Sequence, residues 1–332
     1  MKNKYVFTTV LLLLLTVIGA GFVHVSTGTK TLAESEQEQL NIVTSFYPMY
    51  VATKHVAGDI PGVEVQNLTE PTTGCLHDYQ LTPQDMILLS KADVFVVNGG
   101  GIESFLDDVV SNYPNLEVVV ASGECSFLGT EQELDGHGHS HEDNREEEHE
   151  HYHGDGHDHG DVNAHVWMDV ARYMQEVHVI AEALQAADPA NADAYSENAH
   201  TYLGKLEDLQ SEFEALESMT EGERVIIFHD AFAYFADAFG LEVAGVIAMD
   251  GETSFSANQV SEIVELIREE QVDMLFTEEQ YGTKLADAVS RETSAKVYVL
   301  DSLVTGDGHL DGYINGMNRN LEVLRNILGE EE

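Results

Sequence analysis

Basic residues are scarce in this chain: Lys and Arg number 15 against 60 Asp and Glu in 332 residues, a formal charge of −45. A surface of that sign repels nucleic acid and anionic lipid, which argues against both as partners. It concentrates cations instead, and it keeps a protein dissolved in saline or alkaline medium. Cysteine is nearly absent. Cys75 and Cys125 are the only two, and neither lies in a Cys-x-x-Cys spacing. Between two thiol metal ligands and one disulfide, an exported chain favours the disulfide. The His-Glu-x-x-His spacing occurs only at His149–His153, inside an acidic run with no apolar helical pattern, so the common helical signature of zinc hydrolases is missing from the folded part.

What the chain has in excess is histidine, concentrated in one place. His137, His139, His141, His149, His151, His153, His157 and His159 put eight of the sixteen histidines within a short acidic run. Tyr152 is its one apolar residue, so the run cannot fold around a core. Neutral imidazole suits zinc, copper and nickel, and such a strip should collect divalent metal weakly at several points. An acidic surface loop with incidental histidine is the plainer reading, but solubility alone would not need His at every second position.

The N-terminus reads as an export signal. Lys2 and Lys4 precede an apolar stretch over residues 6–23, and Thr31-Leu32-Ala33 offers a small-residue cleavage site. No cysteine follows the apolar stretch as a bacterial lipoprotein would require. The alternative is an uncleaved anchor, since residues 5–25 are about long enough to span a bilayer. Either reading places the folded part outside the cytoplasm.

The length implies two domains, each with its own core. Short apolar strands over 40–46, 63–68, 93–98 and 117–121 alternate with helical patterns over 47–57, 82–90 and 102–113. That alternation signals a parallel sheet with crossover helices. A helix over 168–187 with Asp169 as N-cap comes next, then a helical pattern over 189–219 that is too long for one small lobe. A second alternating unit follows, with strands over 224–228, 241–247, 272–276 and 296–300 and helices near 231–239, 256–270, 282–292 and 312–328. The expected fold class is α/β, with two parallel-sheet lobes joined by one long helix. The boundaries read 1–33 signal or anchor, 34–39 linker, 40–187 first lobe with the histidine loop at 136–160, 188–221 connecting helix and 222–332 second lobe.

Ligands in parallel α/β sheets bind beyond the carboxyl ends of strands. His229 and Asp301 directly follow two of the second-lobe strands. His77 lies in the loop after 63–68, and His165 lies just after the histidine tract and just before a helix. Two candidates come from each lobe, and together they would make a tetrahedral His₃Asp site in the cleft. Taken singly, each is as readily a structural residue.

The surrounding sequence is more specific. Gly-x-x-His-Asp-Tyr-x-Leu-Thr-Pro at 74–83, His-Val-Trp-Met-Asp at 165–169, Phe-His-Asp-Ala-Phe-x-Tyr-Phe at 228–235 and Leu-Asp-Ser-Leu at 300–303 resemble the zinc- and manganese-binding substrate-binding proteins of ABC importers. The resemblance spans 40–328 and is greatest to the zinc-uptake members. It implies a non-enzymatic carrier with two lobes on a rigid helix, metal in the cleft, and delivery to a membrane permease. The implied ligands are His77, His165, His229 and Asp301, and the implied cargo is Zn²⁺ rather than Mn²⁺, since zinc members carry His at the third position. Departures are Ala164 where Pro is usual, and Leu76 where some zinc members have an acidic residue. The competing readings are a manganese or iron carrier of the same fold, and a secreted zinc hydrolase with Glu278 or Glu279 as base.

Glu278 and Glu279 are otherwise candidates to accept a ligand imidazole N–H. Trp167 and Phe232 are expected in the cleft walls, with Tyr47 beside them. His55, His178 and His200 are expected on helix surfaces, and the protein is expected to act as a monomer.

Overall fold

The run Val94-Phe95-Val96-Val97 is buried at every position, as a strand covered on both faces must be. The computed structural model describes residues 39–70, 76, 79–129, 162–247, 256–306 and 308–329. The export segment, Cys75, His77 and the whole histidine tract lie outside the described residues. Among those described, no helix is long and apolar enough to cross a membrane.

The first sheet is β1 (Leu40–Thr44), β2 (Val63–Asn67), β3 (Val94–Val97) and β4 (Glu117–Val120), ordered β2-β1-β3-β4 and parallel at every pairing. Its crossovers are α1 (Tyr47–Ala57), α2 (Pro83–Leu89) and α3 (Leu106–Asn112). Thr82 and Asp85 form a reciprocal capping box on α2, and Pro83 sits where its missing N–H costs nothing. α3 starts four residues later than its apolar pattern suggests. Gly99, Gly100 and Gly101 all hold positive φ, and Glu103 turns back to accept the N–H groups of Asn98 and Gly99. A turn bound that way cannot be the first turn of a helix.

The second sheet is β7 (Arg224–Ile227), β8 (Glu242–Val246), β9 (Met274–Thr277) and β10 (Lys296–Val299), ordered β10-β9-β7-β8 and again parallel. Its helices are α6 (Ala231–Ala238), α7 (Ala257–Glu270), α8 (Glu279–Glu292) and α9 (Gly312–Leu328). A two-stranded antiparallel ribbon, β5 (Leu128–Gly129) with β6 (Val162–Asn163), belongs to neither sheet and has no sequence forecast.

Between the lobes run α4 (Val170–Ala187), capped by Asp169, and α5 (Ala192–Thr220). At about 1.5 Å per residue, the 29 residues of α5 reach roughly 44 Å, enough to lie along both lobes. Its buried residues Tyr195, Ala199, Tyr202, Leu206, Leu209, Phe213 and Leu216 recur at three- and four-residue steps. One core runs from the first sheet through α5 into α6 and α9, and a smaller one joins Ile226, Ile263, Leu275, Leu285 and Val289. The helices next to the cleft therefore share the core of the first lobe.

The segment after Asp301 is keyed to the first lobe by Tyr47. A Cβ at Gly306 would lie 2.0 Å from the Tyr47 ring, which is buried and donates its hydroxyl to His309 O at 3.2 Å. Gly306→Ala should therefore cost about 1–3 kcal/mol, the usual toll of overpacking a fixed ring. Urea denaturation measures it, and wild-type stability would mean Tyr47 can move aside.

Candidate metal site

Val225 and Ile227 pack β7 into the larger core and Ile226 into the smaller one, and the chain then turns through His229 into α6. Ile227 pairs with Phe276 on the neighbouring strand, so two residues further on His229 faces Glu278. His229 Nδ1 lies 3.2 Å from Glu278 Oε1, and both side chains are mostly shielded. A carboxylate is an acceptor only, so Nδ1 carries the hydrogen and the ring's lone pair is on Nε2. Glu279, the first residue of α8, is exposed and makes no such bond to a histidine.

His165 is presented by the ribbon. Asn163 ends β6, and the chain then makes a tight turn over Val166–Met168 before Asp169 caps α4. His165 Nδ1 is 2.8 Å from Asn163 Oδ1. Trp167 is fully buried, donates Nε1–H to Ser302 O at 3.0 Å and meets Phe46 edge-on, so it forms the wall expected of it. Tyr313 Oη donates to Trp167 O at 2.8 Å, pinning the turn from α9.

The two rings meet across the lobes with centroids 4.8 Å apart and planes at 79°. The Phe232 and His229 rings meet edge to face with centroids 6.2 Å apart. Asp301 lies beyond β10, in bonds of its own. Its Oδ2 accepts from Arg319 at 2.6 Å and its Oδ1 from Leu303 N–H at 2.9 Å, while its own N–H is held by Asn320. Among the described residues no three His, Cys, Asp or Glu side chains stand together as a ready-made metal shell. His77 and the eight tract histidines lie outside the described residues.

Two sequence expectations need correction. Cys125 is a free thiol rather than half of a bridge, with Sγ 3.6 Å from Arg172 O. Burial first, then Glu176, pushes its pKa up to about 12, so at neutral pH the thiol stays protonated. Cys75 is outside the described residues. His55 is not a plain surface residue: its ring stacks on Tyr202 at 3.7 Å and its Nε2 reaches Leu310 O at 3.0 Å. Burial holds its pKa below the ordinary imidazole value. The Tyr47 hydroxyl donates to the main-chain oxygen of His309.

Two contributors had no forecast, Asn163 and Arg319. A polar residue two before a histidine, and a basic residue about two turns into the helix after Asp301, are the only signals either leaves.

With strand-end histidines from two lobes in contact, relatives become informative. The family described as zinc-uptake complex component A, periplasmic, matches residues 42–327. The chain belongs to that family. It is 31% identical over 321 residues to the high-affinity zinc uptake system protein ZnuA of Bacillus subtilis, covering 94% of this chain and 96% of that one. It is 28% identical over 329 residues to the manganese-binding lipoprotein MntA of Halalkalibacterium halodurans, covering 97% and 98%. The crystal structure of Zn(II)-bound AdcA from Streptococcus pneumoniae superposes with a TM-score of 0.69 at 25% identity, over 88% of this chain and 58% of that one. ZnuA-family membership makes this a metal-binding solute-binding protein and not an enzyme, which removes the hydrolase reading.

Proposed function

We propose that this protein captures zinc outside the cytoplasm and delivers it to the permease of an ABC importer. The observation that carries the reading is the His165–His229 pair: one imidazole from each lobe, 4.8 Å apart, each with Nδ1 bonded to an oxygen acceptor. That leaves Nε2 of each as the metal-binding atom, oriented as ligand histidines are in zinc proteins. His77 is the proposed third ligand, and Asp301 the fourth after it exchanges Arg319 for the metal. Three imidazoles favour zinc over manganese, which prefers more oxygen. The eight tract histidines from His137 to His159 would hold further zinc weakly beside the cleft.

A manganese or iron cargo is the second reading. It is favoured by the carboxylate of Glu278 beside His229, and by relatives named for manganese and for iron. Metal analysis of protein purified without added metal, followed by competition of Zn²⁺ against Mn²⁺, tests the choice. Zinc retained against excess manganese supports the proposal, and preferential manganese binding would replace it.

The tract gives a separate expectation. Each tract histidine must be ordered from a chain with no core, so its sites are weaker than a cleft built on strand ends. Deleting 136–160 should remove several weak sites in a calorimetric titration and leave one tight site. Loss of the tight site would mean that the tract supplies primary ligands.

A further inference from the structure

We propose that Asn163 is a positioning residue for metal capture, locking the imidazoles of both lobes into one preset pair; this rests on His165 and His229 being ligands. The argument follows donors and acceptors. Asn163 is buried, and its Nδ2 lies 2.8 Å from Asp230 O. A carbonyl oxygen only accepts, so the group facing it must be the NH₂. The other end of the carboxamide is then Oδ1, which accepts from His165 Nδ1 at 2.8 Å and from His165 N–H at 3.1 Å. Oδ1 cannot donate, so Nδ1 must, and the lone pair of His165 is left on Nε2. Neither the amide nor the ring can turn over without opposing like groups in a buried space.

Asp230 is the residue after His229, so the same carboxamide grips the turn that carries the other histidine. The rest of Asn163 is fixed from the same helix. Tyr234 Oη donates to Asn163 O at 2.6 Å and accepts from Leu128 N–H at 2.9 Å, joining both strands of the ribbon to α6. Arg172 strengthens that seam, pairing with Asp237 at 3.1 Å while its guanidinium lies 4.9 Å over the Tyr234 ring. Asn163 therefore spans the two lobes, with one arm on each histidine-bearing segment. A metal meeting this pair finds two Nε2 atoms already oriented, and little ordering remains to be done on capture.

The test uses the full chain, stripped of metal and titrated with Zn²⁺ against a competing chelator. Asn163→Ala should bind about ten- to hundredfold more weakly, the cost typical of losing the acceptor behind a ligand imidazole. Loaded with Co²⁺, it should show displaced d–d bands, because a released His165 ring changes the ligand geometry. A purely structural defect would lower the melting temperature without moving those bands. Asn163→Asp keeps the side-chain shape and the acceptor, adds a charge that strengthens His165 as a donor, and sets an oxygen against Asp230 O, which loosens the other arm. It should hold the wild-type bands and bind with intermediate affinity. Wild-type affinity and bands in Asn163→Ala would overturn the proposal, as would Asn163→Asp matching Asn163→Ala. His165→Ala and His229→Ala separate the two failures. If they lose zinc while Asn163→Ala does not, the ligand assignment stands and the positioning role falls. If neither loses zinc, the ligand assignment itself is wrong and the positioning role falls with it.

Discussion

His229→Ala is expected to lower zinc affinity by more than about a hundredfold, beyond what loss of an outer partner costs. Removing this ring vacates one coordination position. Glu278 bonds the far nitrogen of the ring, at 3.2 Å, and its own strand end fixes it there. Glu278→Gln should be milder, about tenfold, since an amide oxygen can still accept from Nδ1 but lacks the charge that strengthens the imidazole as a donor to metal. The apo variants should melt like the wild type, because His229 lies at a cleft edge and not in either core. Chelator competition distinguishes the cases. Equal affinity in wild type and His229→Ala would remove this residue from the site, and a Glu278→Gln loss as large as that of His229→Ala would make the carboxylate a ligand in its own right.

The two sheets were legible because buried parallel strands announce themselves. Val94–Val97 and Val225–Ile227 are continuous apolar runs, and a run covered on both faces has no competing reading once a helical pattern follows it. The long helix was legible from spacing alone. Pairings that depend on two distant short segments were not. β5 and β6 have two residues each and are separated by the tract, so no periodicity exists to detect them. The same holds for Asp301. Its position after a strand is visible in sequence, but its bond to Arg319 arises because α9 packs back over the strand end, a tertiary fact. His55 failed for a related reason. It lies on α1, and only the approach of Tyr202 from α5 and Leu310 from the following loop gives it a buried setting.

The strand-end rule located His165 and His229 but said nothing of what aims them. Orientation comes from Asn163 and Glu278, whose side chains reach the rings through bonds that sequence spacing does not encode. Sequence thus proposes which chemistry is present, while the packing of α6 against the ribbon determines how it is directed. That division explains why a metal-binding family is readable from short segments, although the cleft is assembled from residues far apart in the chain.

Glu176→Met is expected to stabilise the apo protein by about 1–3 kcal/mol, the desolvation cost of a buried polar group left without a hydrogen-bond partner. Glu176 is fully buried on α4, and neither carboxyl oxygen has a hydrogen-bond partner. Burial first, and then the nearby Glu103, raise its pKa well above the ordinary carboxyl value. Glu103 is also raised by burial, but it accepts from Ser45 Oγ, Asn98 N–H and Gly99 N–H. Glu176 is therefore the carboxyl that stays protonated in the fold. The sign of the pH effect follows. Between the unfolded pKa near 4.3 and the raised folded value, the native state holds a proton that the unfolded chain has lost. Its stabilising contribution is complete below that window and drains away as pH rises through it, by about 1.4 kcal/mol per unit. Glu176→Met removes this slope, so its advantage should be small near pH 4 and largest at pH 8. Glu103→Gln should do the opposite and destabilise, since an NH₂ would face a backbone N–H. Urea denaturation of all three proteins across that range decides the matter. An advantage that does not grow with pH, or a Met variant weaker than wild type at pH 8, would mean that Glu176 is ionised and supported in the native fold.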